Sequence, residues 1–359
     1  EVHAISIIGR RLAEANLGRL RIANADQIKE LLTDAAGNVE ASRFTPAFLW
    51  DEWHNVVDGW QLRDWKDYRD VRRLGRKTRL AQGQREVLWN IFESVRHEIA
   101  EEGLSTQAEM FTRTAEKLAD HNNPPFDFVV VDEAQDIAIP ELRLLAALGD
   151  NRPNSLFFAG DLGQRIFQQP YSWKALGVDV VGRSHVLRTN YRTSHQIRQQ
   201  ADRLLPTEIS DADGHTEERR GTVSVFNGPR PLIHVHDCEE EEITAIAEWL
   251  QHLHDEGFRG HEIGMFVRSA DQFHRARQAV EQSRFEAIEL KEEIKFRSGH
   301  VCICTMHLAK GLKFRAVSVM ACDDEVIPLQ SRIETVGDES DLEEVYNTER
   351  HLLYVACTR

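Results

Sequence analysis

The 359-residue chain is 41% hydrophobic and carries a formal net charge of −15. That length and apolar content suit sizeable cores in two or three domains, and the acidity argues against binding nucleic acid by the surface as a whole. No apolar run approaches the ~18 residues of a membrane span, no basic segment followed by an apolar one opens the chain as a secretory leader would, and five cysteines without framework spacing fit a reducing cytoplasm.

Residues 7–120 have mostly helical spacing, with Ile28, Leu31 and Leu32 on one face and Val87, Leu88, Ile91, Phe92, Val95 and Ile99 on another. Inside this region residues 61–85 hold nine Lys/Arg against three Asp, among them Arg72, Arg73, Arg76 and Lys77. Trp50, Trp53, Trp60, Trp65 and Trp89 lie in or near the same stretch. Basic residues interleaved with aromatics can track phosphates and stack bases. The alternative is a solvated helical face with its tryptophans in the core.

Asn123-Pro124-Pro125 punctuates the end of the helical region. The run PFDFVVVDEAQD then predicts a buried parallel strand over Phe128–Val131. ELRLLAALGD predicts a helix, and SLFFAGD a second strand, which is α/β order. The polar, acidic segment 205–221 reads as a boundary. Beyond it come the expected strands TVSVF, LIHVH, IGMFV, VCICT and AVSVMA, and a helix over 239–254 with Asp237 as its N-cap. Cys302, Cys304 and His307 could be part of a metal site, or simply strand packing, since no second ligand cluster lies nearby.

Asp132 and Glu133 follow the first of these strands directly, at the carboxyl end where open α/β sheets bind ligands. Paired carboxylates there suit nucleotide hydrolysis: one holds Mg²⁺ on the phosphates, the next orients and deprotonates water. Gly160-Asp161-Leu162-Gly163-Gln164 follows the next strand, and a neutral Gln can bond a γ-phosphate without adding repulsion.

The strings VVVDEAQD, FFAGDLGQRIF, LRTNYRTS, TMHLAKGLKF and LLYVACTR occur in that order. Together they resemble motifs II to VI of UvrD/Rep-type superfamily 1 DNA helicases, from about residue 126 to the last residue. The resemblance implies an α/β fold of two RecA-like parallel-sheet (P-loop NTPase) motor domains, the first incomplete, with a helical 1B-type insertion. Its division would be 1–10 as a remnant of the first RecA-like domain, 11–124 as the 1B-like subdomain, 125–206 as the first RecA-like domain, and 207–359 as the second. It implies an ATP-dependent motor on single-stranded DNA or a duplex–single-strand junction, moving 3′→5′, in DNA repair or replication, with ATP and Mg²⁺ as cofactors. Asp132 would bind Mg²⁺, Glu133 would be the catalytic base, Gln164 would sense the γ-phosphate, and Arg192 and Arg359 would reach it from the second motor domain. Gly311 would lie near the phosphates, and Thr305 and His307 near the DNA strand. Phe167, Tyr171 and Trp173 are the candidates for stacking on bases, and the intervening Gln168-Gln169-Pro170 departs from the family pattern, so the choice among them stays open.

Two further departures stand out. The family has an acid contacting the ribose three residues after Lys310, and this chain has Lys313 there. No Gly-x-x-x-x-Gly-Lys-Ser/Thr string occurs, so the backbone cradle for phosphates is missing. The nearest string, around Gly75-Arg76-Lys77-Thr78, has Asp70 where the first glycine belongs. The expectation is therefore a fragment that binds ATP weakly or not at all. The alternatives are a non-catalytic helicase-like DNA-binding scaffold, or a subunit of a helicase–nuclease.

Overall fold

A computed structural model describes residues 2–39, 44–71, 80–120, 125–149, 152–161, 171–180, 182–206, 208–210, 216–218, 221–290, 297–333 and 339–359. Packing divides the chain into two compact units: Glu1–Ser184 with Ser210–His215, and His185–Ile209 with Thr216–Arg359.

The first unit is built in chain order from α1 (Ile5–Leu17), β1 (Arg21–Ile22), α2 (Ala25–Gly37), α3 (Pro46–Glu52), α4 (Trp65–Asp70), α5 (Gln82–Glu101), β2 (Leu104–Ser105), α6 (Gln107–Ala119), β3 (Val129–Val131), α7 (Ile139–Gly149) and β4 (Leu156–Phe158). Helix starts follow local chemistry. Asn24 and Gln27 form a reciprocal capping box on α2, with Gln27 N–H donating to Asn24 Oδ1 at 2.8 Å and Asn24 N–H to Gln27 Oε1 at 2.9 Å. Thr45 caps α3, where Pro46 costs no helical hydrogen bond, and Thr106 caps α6.

These elements enclose two cores. Ile28, Leu32, Leu49, Trp53, Tyr68, Leu88, Ile91, Phe92, Val95 and Ile99 fill the first, as the helical spacing predicts. Trp53 and Trp89 are buried, and Trp50, Trp60 and Trp65 pack partly buried against them, so the tryptophans belong to the core. The second core joins Leu12, Met110, Phe111, Leu118, Leu142, Leu145 and Leu148, drawing α1, α6 and α7 onto β3 and β4. Helix α1 thus runs across the division expected at residues 10 and 11, because its apolar face is buried against α6. Gly9 permits that approach: a Cβ there would fall 2.2 Å from the Phe111 ring.

Strands β3 and β4 pair in parallel, Val129 with Leu156 and Val131 with Phe158. The expectation of a fully buried strand needs correction. Phe128 and Val130 are each 73% exposed and Phe157 is 62% exposed, so among the described residues only the alternate face is covered.

The second unit holds β5 (Thr189–Asn190), α8 (His195–Ala201), a ribbon of β6 (Glu208–Ser210) and β7 (Thr216–Glu218), then β8 (Val223–Ser224), α9 (Glu239–Asp255), β9 (Ile263–Val267), α10 (Phe273–Glu281), β10 (Glu286–Glu289), β11 (His300–Thr305), β12 (Ala316–Val319), α11 (Gln330–Ile333) and α12 (Glu339–Cys357). Strand β5 pairs with β8, and His195 N–H donates to Phe226 O. These bonds group residues 185–206 with this unit, upstream of the division expected at 206 and 207.

Its main sheet is fully parallel in the order β10-β11-β9-β12. Ile263, Met265, Val267, Val301 and Ile303 pack with α9 and α10, while the alternate residues Phe266, Cys302 and Cys304 are equally buried. Burial on both faces is why IGMFV and VCICT read as continuous apolar runs. Two expectations are corrected here. The segment LIHVH joins no sheet among the described residues, and Leu232, Ile233 and Val235 are exposed, because an alternating pattern without a neighbouring strand has no ladder to complete. The N-cap of α9 is Cys238 instead of Asp237, although Glu239–Glu242 do occupy the first turn. No helix among the described residues is long and apolar enough to cross a membrane.

Candidate functional site

The carboxyl ends of β3 and β4 carry the first cluster. Ala159 N–H donates to Val131 O and Ala134 N–H to Ala159 O, both at 2.8 Å, so the ladder continues past the strands and holds residues 132–136 beside 159–161. Asp132 and Glu133 are exposed at this edge. Asp132 Oδ1 accepts the Glu133 N–H at 2.9 Å, and Glu133 adopts a left-handed φ of 53°. That conformation is costly for a residue with a Cβ and clusters at functional sites. Gln135 is buried beneath, its Nε2 donating to Glu133 Oε2 at 2.6 Å and its Oε1 accepting from Asp161 N–H at 2.9 Å. Sequence reasoning quoted Gln135 only as a letter in DEAQD. An amide two positions beyond a carboxylate was the signal available for it.

Of the stacking candidates, Tyr171 is 3% exposed and its hydroxyl donates to Ile137 O. Its ring is packed into the second core and offers no face to a base. Trp173 is half-buried, edge-on to Phe158 at 4.8 Å. Gln164, Phe167, Arg72 and Arg73 lie outside the described residues, as do Arg76 and Lys77.

In the second unit Asn190 Oδ1 accepts from the N–H groups of Arg192 and Thr193 at 2.8 and 3.1 Å, a turn that leads into the Ser194 cap of α8 and leaves Tyr191 and Arg192 exposed. Thr305 ends β11, His307 lies in the 3₁₀ turn Met306–Ala309, and Gly311 follows, exposed. At the adjacent end of β9, Arg268 makes a buried bidentate pair with Glu349 of α12, Nε to Oε2 at 2.5 Å and Nη2 to Oε1 at 2.7 Å. Arg332 Nη1 adds a bond to Glu349 Oε1 at 3.1 Å. Burial, then the nearby Arg268 charge, pushes the His307 imidazole down to about 4, so the ring is neutral at pH 7. Any contact it makes with a nucleic acid strand is then by hydrogen bond or packing, not charge. Arg359 follows α12 and is 7% exposed. Sequence reasoning missed Arg268 and Glu349, which lie 81 positions apart and share no local pattern.

Cys302 and Cys304 sit inside β11, their thiols raised by burial to about 11 and about 12. They are protonated core side chains, and the thiolate that binds a metal is disfavoured there.

Both units are of the α/β class with parallel strand pairs, and acidic and cationic side chains lie at the strand carboxyl ends, where open α/β sheets bind ligands. Residues 279–359 match the family model of the UvrD-like helicase C-terminal domain. The matched residues lie within the second unit, and that part of the chain is similar to the UvrD-like helicase C-terminal domain. No curated protein matches the chain.

Proposed function

We propose that this chain is motor machinery of an ATP-dependent helicase that translocates 3′→5′ on single-stranded DNA, loading at duplex–single-strand junctions, in repair or replication. The reading is supported above all by the family match at 279–359, which contains TMHLAKGLKF and LLYVACTR, standing downstream of DEAQD at a parallel-strand carboxyl end. In this reading the first unit combines an incomplete RecA-like domain with a helical 1B-type insertion, and the second is a RecA-like domain.

Asp132 and Glu133 suit Mg²⁺-ATP chemistry because both are exposed and acidic at one edge. Bound Mg²⁺ would neutralise charge on the phosphates. Asp132 would hold it, Glu133 would orient and deprotonate the attacking water, and Gln164 would bond the γ-phosphate. Arg192 and Arg359 compensate charge on the transferring group, with Gly311 near the phosphates. An arginine in that role contributes ~10³–10⁵ in rate, or about 4–7 kcal/mol of barrier. Trp173, Thr305, His307 and the 61–85 basic stretch contact the strand, stacking and phosphate contacts being indifferent to sequence as a translocating motor requires.

The test is Glu133→Gln in the protein as its gene encodes it. DNA-stimulated ATP hydrolysis should be abolished while a fluorescent ATP analogue still binds. A variant that turns over at the parental rate would remove the assignment.

A further inference from the structure

We propose that Gln135 is a positioning residue for Glu133, tying the carboxylate of that residue to the backbone at Asp161. The inference rests on the reading of Glu133 as the base.

Gln135 is 3% exposed and both ends of its amide are used. Asp161 N–H can only donate, so the amide oxygen faces it. An ionised Glu133 carboxylate can only accept, so the amide nitrogen faces that. The orientation is therefore fixed by chemistry, and Gln is the side chain of this length that serves both ends while staying neutral. Gly160 makes room for it: a Cβ there would fall 2.5 Å from Gln135 Oε1 and 3.2 Å from the Gln135 and Ala134 backbone nitrogens. A buried amide that lost one of these partners would carry its full desolvation penalty. Gln135 thus favours the one arrangement in which both loops are docked and the Glu133 carboxylate is held from below.

The same bond holds a side chain on a backbone that is itself constrained. Glu133 has φ 53°, with its N–H on Asp132 Oδ1. The next residue, Ala134, is anchored on Ala159 O. Backbone and side chain are both tethered to residues 159–161, so the carboxylate is tied to that segment. A base is useful only when its carboxylate stays within hydrogen-bond reach of the water it activates.

The experiment measures single-strand-stimulated ATPase of the protein as its gene encodes it, beside Gln135→Leu, Gln135→Glu and Gly160→Ala. Circular dichroism reports folding, and a fluorescent ATP analogue reports binding. Gln135→Leu should lower kcat about ten- to a hundredfold, with KM for ATP within about threefold of the parent. Gly160→Ala, which pushes on the same amide from the other side, should reproduce that split. Gln135→Glu distinguishes positioning from mere packing. A protonated acid donates to Glu133 as the amide does, whereas an ionised one repels it. Its kcat relative to the parent should therefore rise as pH is lowered from about 8 to about 6, while the ratio for Gln135→Leu stays flat.

A folded Gln135→Leu with kcat within about twofold of the parent would overturn the proposal. So would a Gln135→Glu ratio that ignores pH, which also decides the matter where Gln135→Leu does not fold. A parent that hydrolyses no ATP with DNA present would instead sink the functional reading, and this inference with it.

Discussion

Asp58 ends the π-helical turn Trp53–Asp58, where its Oδ1 accepts from Thr106 Oγ1 and from Gln61 Nε2, each at 2.6 Å. Burial pushes its carboxyl up to about 6, against the opposing effect of those hydrogen bonds and of Arg96. The folded chain therefore keeps a proton that the unfolded chain releases near its ordinary value of 3.8. By linkage, the stabilisation this confers is fully present below 3.8 and is lost as pH rises through about 6. Asp58→Asn keeps an acceptor oxygen and deletes the titration. Its melting temperature should fall less than the parent's between about pH 4 and 6, in thermal unfolding followed by circular dichroism. Parallel slopes would refute the role.

At the scale of elements, α12 is held to the sheet by one carboxylate as well as by Leu352, Val355 and Ala356. Glu349 answers Arg268 at the end of β9 and Arg332 at α11. A buried pair is costly to assemble, but breaking it from one side is worse, because the remaining charge stays buried. Glu349→Ala should therefore lose about 3–5 kcal/mol in chemical denaturation, whereas removing the exposed Arg63–Glu116 pair should cost no more than about 1 kcal/mol. A Glu349→Ala loss as small as that of the surface pair would mean the network does not hold the helix.

For the whole molecule, the formal charge of −15 sets a problem for any strand-binding role. The surface at large repels phosphates, so attraction has to be local, and the densest cationic stretch is 61–85. Charge reversal at Arg72, Arg73, Arg76 and Lys77 should weaken single-strand binding and flatten its salt dependence, by up to about 0.7 in the log–log slope for each phosphate no longer neutralised. Binding titrations across a salt series measure this. An unchanged slope would assign these residues to the solvated surface.

Local pattern made α2, α5 and α9 legible, and β9, β11 and β12 of the main parallel sheet, whereas β10 went unread. Ile28, Leu32, Leu88 and Ile91 repeat at helical spacing, and Ile263–Val267 and Val301–Cys304 are apolar runs of strand length, which suits a strand covered on both faces. The ordered motif strings made Asp132 and Glu133 legible as a pair, since neighbours in sequence share a strand end. Partnership at a distance was beyond the sequence. Whether LIHVH pairs, whether Val130 is covered, and whether Tyr171 is core or surface each depend on a neighbour supplied by another part of the chain. The same holds for Gln135 reaching Asp161 and Glu349 reaching Arg268. Local spacing fixes what each element buries along its own axis, but which elements meet is a property of the folded chain, because it is decided by long-range packing and hydrogen bonds that leave no periodic trace.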